Sequence, residues 1–323
     1  MNQEKDLGTS VFSHRVLWSV RHTHRKVYKR FYIKIAMVKS SILKVLYEYV
    51  VYSSEVGRST ITDFQKKRFP KKRRKTISNQ IKQYENQIFF SPHLFVLQDV
   101  NVKMIPFEGM PALEMLEKDK RDYSVYHSIA LVGCYSLISF RRTKESSDSI
   151  NILTYAESIV PTYPSKKSTG EIDISTSAQE KLPVMQKSLN WDDLDWGIYY
   201  KMNNPNYPSN AAAKALGISH TTILNRFYRI QKDCSIWMPF FPKGYSNYNQ
   251  FIVHLKTEYE KGLKNELHGL DRSTYIYKID DFLLLHLFLE KNKNLDFLLD
   301  LEKKGLIHSL SVSIPLRYHN KFY

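Results

Sequence analysis

The chain has 323 residues, enough for two or three domains and a sizeable core, which excludes a single small module. Aromatic residues make up 13% of it, with 22 Tyr and 17 Phe, and this excludes a disordered polymer despite 25% charged residues. The formal charge is +16, and residues 1–100 hold 20 Lys+Arg against 7 Asp+Glu, so the positive field sits in the N-terminal third and points to a polyanion, nucleic acid ahead of an anionic membrane.

In chain order, residues 11–50 interleave basic groups (Arg15, Arg21, Arg25, Lys26) with apolar ones (Val16, Leu17, Val20, Val27). This reads as a basic arm or, slightly favoured, a solvated helix face. Ile42, Leu43, Val45, Leu46 and Tyr49 have helical spacing without Gly or Pro, and the spacing predicts a helix over 42–51. Next, Ile61 and Phe64 fit a short helix stopped near Pro70, while Ile77, Ile81, Tyr84 and Ile88 fit a longer one. Between them residues 66–75 read KKRFPKKRRK. Such density is relieved when phosphates replace condensed counterions, although a solvated basic loop or a nuclear import signal has the same composition.

Residues 98–161 give a strand, a helix at 110–120, two strands, a helix near 147–156 and a short strand at 158–161. Residues 162–190, rich in Ser, Thr, Lys and Pro, read as a linker. Residues 208–230, PSNAAAKALGISHTTILNRFYRI, then combine an Ala-rich helix, Gly217 to close it, Ser219 to cap the next helix, and Ile223, Phe227 and Ile230 on one buried face. Two helices joined by a tight turn, the second with a polar N-terminal face, form a helix-turn-helix. The helix at 77–88 overlays on it at a constant offset, with Thr76 on Thr222, Ile77 on Ile223 and Asn79 on Asn225. In each copy the helix runs into an aromatic, Pro-containing segment, 89–96 and 236–242, expected as a wing. Strands at 251–257, 274–279, 283–289 and 306–315, with helices at 258–268 and 292–304, complete the chain.

Leu194, Asp195 and Ile198, the run Ala213-Lys214-Ala215-Leu216-Gly217-Ile218-Ser219, Ile223 and Arg226, and further on Tyr277 to Leu284 and Gly305-Leu306-Ile307 carry a resemblance over roughly residues 190–316. The chain resembles the Lrp/AsnC family of prokaryotic transcription regulators. The resemblance implies an α+β chain with two winged helix-turn-helix domains, each followed by a ferredoxin-like βαββαβ domain. The expected bounds are 1–97 and 98–161 for the first copy, 162–190 for the linker, and 191–245 and 246–323 for the second copy. It further implies a DNA-binding regulator that is not an enzyme, with double-stranded DNA as partner and an intramolecular pseudo-dimer that could assemble into a higher homo-oligomer. A small effector such as an amino acid would bind near Tyr277–Phe282, where the family's usual Gly is missing, and Gly133 lies between the corresponding strands of the first copy.

On that reading Asn79, Asn225, His220 and Thr221 face bases. Lys71, Lys72, Arg73, Arg74, Lys75, Thr76, Arg226 and Arg229 hold phosphates, with Ser78, Lys82, Ser219 and Thr222 on the same surfaces. An alternative is a nucleoid-type or RNA-binding protein that uses charge alone. Some relatives of this architecture are haem-pathway decarboxylases that use His and Arg in the second domain, which singles out His127, His268 and His286.

No run approaches the roughly 20 apolar residues of a spanning helix, and residues 1–10 lack a signal-peptide core. A cytoplasmic protein without a membrane partner is expected. Cys134 and Cys234 lie outside any Cys-x-x-Cys spacing, so no metal and no cofactor is called for; both are expected as buried thiols, with a disulfide between them left open.

Overall fold

An eight-stranded closed barrel, to which both halves of the chain contribute four strands, is the centre of the structure. The structure, a computed structural model, describes residues 38–107, 111–142, 151–184 and 189–320. The basic stretch of residues 11–37 lies outside them. From Ser40 onward the chain forms one compact unit.

The N-terminal half opens with three helices, α1 (Ser40–Val56), α2 (Ile61–Arg68) and α3 (Arg74–Tyr84). The Thr60 side chain caps α2 by accepting from the Asp63 amide at 3.1 Å. Leu46, Tyr49, Phe64, Ile77 and Ile81 are buried, so the helical spacing read from the sequence does face a core. There follow strands β1 (His93–Val96) and β2 (Val100–Pro106), helix α4 (Ala112–Asp119), and strands β3 (Val125–Gly133), β4 (Tyr135–Arg142) and β5 (Asn151–Ile159).

The second half repeats this order, with one helix more among the described residues. Helices α5 (Asp193–Lys201), α6 (Ser209–Leu216) and α7 (His220–Lys232) precede β6 (Cys234–Trp237). Then come β7 (Tyr248–Lys256), α8 (Glu260–His268), β8 (Thr274–Ile279), β9 (Phe282–Glu290), α9 (Asp296–Lys303) and β10 (His308–Asn320). Gly217 takes φ +66°, the left-handed conformation that ends α6, and Ser219 caps α7 by accepting from the Thr222 amide at 3.0 Å.

The barrel order is β10-β3-β4-β2-β5-β8-β9-β7. Counted within its own half, each set of four runs second, third, first, fourth. The fourth strand of each half pairs with the second strand of the other, β5 with β8 and β10 with β3. Two open sheets would each leave unpaired edges, and this closure removes them. Gly133 belongs to one of these seams: its φ is +131°, and a Cβ there would lie 2.5 Å from the Val312 carbonyl oxygen.

Side chains alternate across the barrel wall as strand geometry requires. On β9, Leu284 joins the interior core, whereas Leu283, Leu285 and Leu287 pack outward with Leu263, Leu267, Leu298 and Leu301 of α8 and α9. The α+β class and the strands and helices expected after residue 245 are present, with bounds shifted by a few residues.

Several expectations need correction. The helix near 147–156 is strand from Asn151 onward, in β5. Leu153 and Ala156 join the interior cluster and Tyr155 and Ile159 the outer one; a strand buried on both faces loses the alternation that would have identified it. The two wings are not wings. β1 and β6 pair antiparallel with each other, His93 opposite Trp237 and Phe95 opposite Ser235, and so tie the halves together.

The stretch read as a linker is packed down. Thr162 donates its amide to the His268 and Leu270 carbonyls, Lys167 pairs with Glu266, and Ile172, Ile174 and Leu182 are buried beside α8. Both cysteines are free and no disulfide forms; Cys134 is exposed, against the expectation of a buried thiol, whereas Cys234 packs against the core and burial lifts its thiol well above the ordinary range. The turn at the proposed effector site needs no Gly: Asp280 takes φ +49° and exchanges two hydrogen bonds with Ile152 of β5, both 3.1 Å.

Candidate functional site

The paired β1 and β6 lie against the barrel, and a cavity of about 340 Å³ opens between them and the inner faces of β3, β8, β9 and β10. Its surface is mostly apolar. Exposed Asn86, in a left-handed turn at φ +63°, reaches its rim.

Two rows of nearly parallel rings make the walls. Phe95 stacks on Trp237 with centroids 4.2 Å apart and planes 7° apart, and Trp237 stacks on Tyr275 at 5.1 Å and 18°. The other row is His127, Tyr318, His286 and Phe288, with successive centroids at 6.4, 5.9 and 4.4 Å and interplanar angles of 16°, 20° and 28°. Contact between Tyr275 and His286, centroids 5.5 Å apart, joins the two rows.

Strand geometry explains the placement. His286, Tyr275 and Tyr277 occupy inward positions of adjacent strands, with Tyr275 directly opposite His286. A strand normally turns only every second side chain inward, yet Tyr126 and His127 both line the cavity. The register between β3 and β4 slips between Val125 and His127, and this bulge admits both neighbours to the interior.

The polar groups inside are few and placed by hydrogen bonds. Tyr318 donates its hydroxyl to Gln250 Oε1 at 2.5 Å, His286 Nε2 lies 3.1 Å from the same oxygen, and the two hydroxyl and imidazole groups are 3.2 Å apart. Gln250 Nε2 in turn donates to the Tyr245 hydroxyl at 2.8 Å. With the amide oriented this way, Oε1 is an acceptor and His286 carries its proton on Nε2. The Tyr126 hydroxyl and His127 Nδ1 are buried and have no hydrogen-bond partner among the described residues. A buried orphan of this kind is costly unless something outside the chain satisfies it.

Burial holds these groups neutral. It lowers His127 to about 4, His93 to about 4 and His286 to about 3, and lifts the Tyr318 and Tyr126 phenols well above their ordinary range. At neutral pH the cavity therefore presents uncharged imidazoles and phenols that keep their protons. Among the described residues that line it, none is Lys, Arg, Asp or Glu. No group of three or more His, Cys, Asp or Glu suited to a metal ion occurs among the described residues.

Of the histidines singled out in the sequence, His127 and His286 meet in this cavity. His268 does not; it lies at the end of α8, its ring nitrogen 3.3 Å from the Thr162 hydroxyl. Sequence reasoning missed Tyr318, Gln250, Trp237, Phe95 and His93. For His93, Phe95 and Trp237 the signal is the pairing of β1 with β6, and for Gln250 and Tyr318 it is the closure of the barrel through β7 and β10; both are contacts between distant segments that no local pattern announces.

The residues expected on DNA are elsewhere. Lys71, Arg73, Arg74, Lys75, Thr76, Asn79 and Lys82 are exposed on α3 and the loop before it, with Lys72 and Ser78 half-buried there. Ser219, His220, Thr221, Asn225 and Arg229 are exposed on α7 or at its start, with Thr222 and Arg226 half-buried. His220 Nε2 is 2.9 Å from the Ser209 hydroxyl. Arg226 pairs with Asp192 at 2.6 Å and with Asp195 at 3.0 Å, and Arg229 pairs with Asp195 as well, so both arginines are committed within the protein.

No protein-family model matches the chain, and no curated protein matches its sequence. Among solved structures it is similar to the siroheme decarboxylase NirDL, with a TM-score of 0.48 at 8% identity over 86% of this chain and 91% of that one. It is also similar to NirDL in co-complex with an iron-uroporphyrin III analogue, with a TM-score of 0.43 at 10% identity over 91% of each chain. Both of these structures are of a siroheme decarboxylase, an enzyme, and with them the expectation of a non-enzymatic Lrp/AsnC-type DNA-binding transcription regulator is corrected. Two observations bear on the same correction: the presumed wings are spent on each other, and Arg226 and Arg229 are held by Asp195. No helix among the described residues is long and apolar enough to cross a membrane.

Proposed function

We propose that the barrel cavity binds a planar, conjugated tetrapyrrole and that the protein is a decarboxylase-like enzyme acting on it. The observation that carries this reading is the wall of stacked rings, from Phe95 through Trp237 to Tyr275 and from His127 through Tyr318 to Phe288, around two orphaned buried polar atoms, Tyr126 Oη and His127 Nδ1. A flat conjugated ring is the ligand shape that extends such stacks, and offset stacking rewards it beyond the apolar area it buries.

The reaction class follows from the lining. A carboxylate carried into an apolar cavity that offers it no cation is raised in free energy, whereas the carbon dioxide it releases is neutral. The balance is R–COO⁻ plus H⁺ giving R–H and CO₂. The C–C bond breaks with its electron pair left on the ring substituent, where conjugation spreads the charge, and a proton then fills that site. The Tyr318 O–H and the His286 N–H, both held by Gln250, are the donors in reach of the cavity.

The repeated element order and the equivalent strand orders of the halves support a further part of this reading. The chain is two fused copies of one unit, a helix-turn-helix followed by four barrel strands, complete as βαββαβ in the second half and without its second helix among the described residues of the first, and it forms an intramolecular pseudo-dimer whose seam holds the site. The test is incubation of the full chain with carboxylated porphyrins and mass spectrometry of the products. Loss of one CO₂ per turnover, absent in a Tyr318→Phe, His286→Leu double variant, is expected; binding without any mass loss would contradict the decarboxylase assignment.

A further inference from the structure

We infer that Tyr318 gives the proton to the substrate carbon, and that Gln250 is a positioning residue whose side-chain amide turns over to hold the phenolate left behind. This rests on the decarboxylase reading above and assigns separate roles within the site.

The first observation is the place of Gln250 in the barrel. Its strand, β7, lies between β9, which carries His286, and β10, which carries Tyr318. One side chain on β7 therefore reaches both. Gln250 Oε1 accepts from the Tyr318 hydroxyl at 2.5 Å and lies 3.1 Å from His286 Nε2, while the amide nitrogen donates to the Tyr245 hydroxyl at 2.8 Å. As long as the phenol keeps its proton, each of these contacts pairs a donor with an acceptor.

The second observation is what the same contacts become when that proton leaves. The O–H bond of Tyr318 breaks as a C–H bond forms with the electron pair that CO₂ left on the substituent, and the phenol oxygen becomes an anion. The amide oxygen 2.5 Å away then faces it with no proton between them. Turning the amide over puts an N–H donor there instead. The far end stays satisfied, because the Tyr245 hydroxyl, an acceptor before the turn, donates to the amide oxygen after it. His286 Nε2, 3.2 Å from the Tyr318 oxygen, supplies a second donor. Hydrogen bonds to an ionised oxygen are roughly twice as strong as neutral ones, so the turned amide favours release of the proton. A proton from water then restores the phenol, and the amide turns back. The titratable groups that face the phenol are His286 of β9, His127 of β3, Tyr277 of β8 and Tyr245 just before β7.

The test uses the full chain with tetrafluorotyrosine in place of Tyr318, so that fluorine NMR follows the titration of one phenol in a chain with 22 tyrosines. Its acid dissociation constant is compared between the parent and Gln250→Met, with Gln250→Leu as a second variant that also removes the amide. A constant at least tenfold lower in the variants is expected, because they lose the donor that holds the phenolate. An amide that kept its oxygen on the phenol would favour the protonated form, so an unchanged or higher constant in the variants overturns the turning of Gln250. With Tyr318 itself in place, kcat for CO₂ release from carboxylated porphyrins should fall at least tenfold in Gln250→Met while KM changes less than threefold. An unchanged kcat overturns the donor role of Tyr318. If the parent chain releases no CO₂, the decarboxylase reading fails and the donor role with it, whereas the acidity comparison still decides whether the amide turns.

Discussion

Phe95 and Trp237 lie face to face, 4.2 Å between centroids, on two strands from different halves of the chain. In the register of β1 and β6 each sits opposite the second neighbour of the other, a diagonal pair within reach of large rings. One contact thereby holds the halves together and forms part of the cavity wall. Trp237 is 4% exposed, so Trp237→Ala should cost about 3–5 kcal/mol of stability as well as ligand binding. Denaturant unfolding reads the first quantity, and a loss below about 1 kcal/mol would mean that the stack contributes little beyond contact.

Tyr318→Phe keeps the ring between His127 and His286 and removes the hydroxyl that donates to Gln250. Stability should fall by about 1 kcal/mol, the ordinary net worth of a hydrogen bond. Porphyrin affinity should change little, while turnover should drop tenfold or more because a proton donor is gone. An unchanged rate would remove Tyr318 from the proton path.

Acid should weaken the fold before it protonates surface carboxylates. His93 and His127 titrate near 4 and His286 near 3 in the folded protein, against about 6.5 when unfolded. Their folded values are depressed, so the unfolded chain takes up more protons between these limits. The stability they contribute is complete above pH 6.5 and is lost as pH falls towards 4 and 3. For one such group the loss between pH 7 and pH 5 is roughly 2 kcal/mol. Urea unfolding of the parent and of His286→Leu at the two pH values measures it; the variant should show the shallower dependence, and equal slopes would place His286 in contact with water.

Much of the fold was legible because it is local. The apolar spacing of Ile223, Phe227 and Ile230, the Gly217 stop and the Ser219 cap all appear as read, in α6 and α7. What could not be read is long-range. Nothing in residues 93–96 says that they pair with 234–237, and an aromatic run after a helix-turn-helix reads equally well as a wing. The buried face of β5 was hidden because both of its faces are covered. His286 stood out in an apolar run, FLLLHLF, but that run is buried on both sides, and only the barrel closure tells which side holds a cavity. The functional misreading came from the exposed face of α7, whose arginines look available in sequence and are paired with Asp192 and Asp195 once folded.

Asp195 also caps α5 in a reciprocal arrangement with Asp192 and is fully buried while it accepts from Arg226 and Arg229. Asp195→Ala should destabilise the protein by about 2 kcal/mol, a cap and partly exposed ion pairs being lost together. Thermal unfolding checks this. A variant as stable as the parent would show that the α5–α7 contact is held by its apolar face alone.

The central claim is that a tetrapyrrole occupies the ring-walled cavity between the β1·β6 ribbon and the barrel. Titration of the full chain with protoporphyrin IX, followed by the shift of the porphyrin absorbance band, tests it most directly. A saturable one-to-one shift that is weakened at least tenfold by Trp237→Ala is expected. An unsaturable shift, or a saturable one indifferent to Trp237→Ala, would contradict the account.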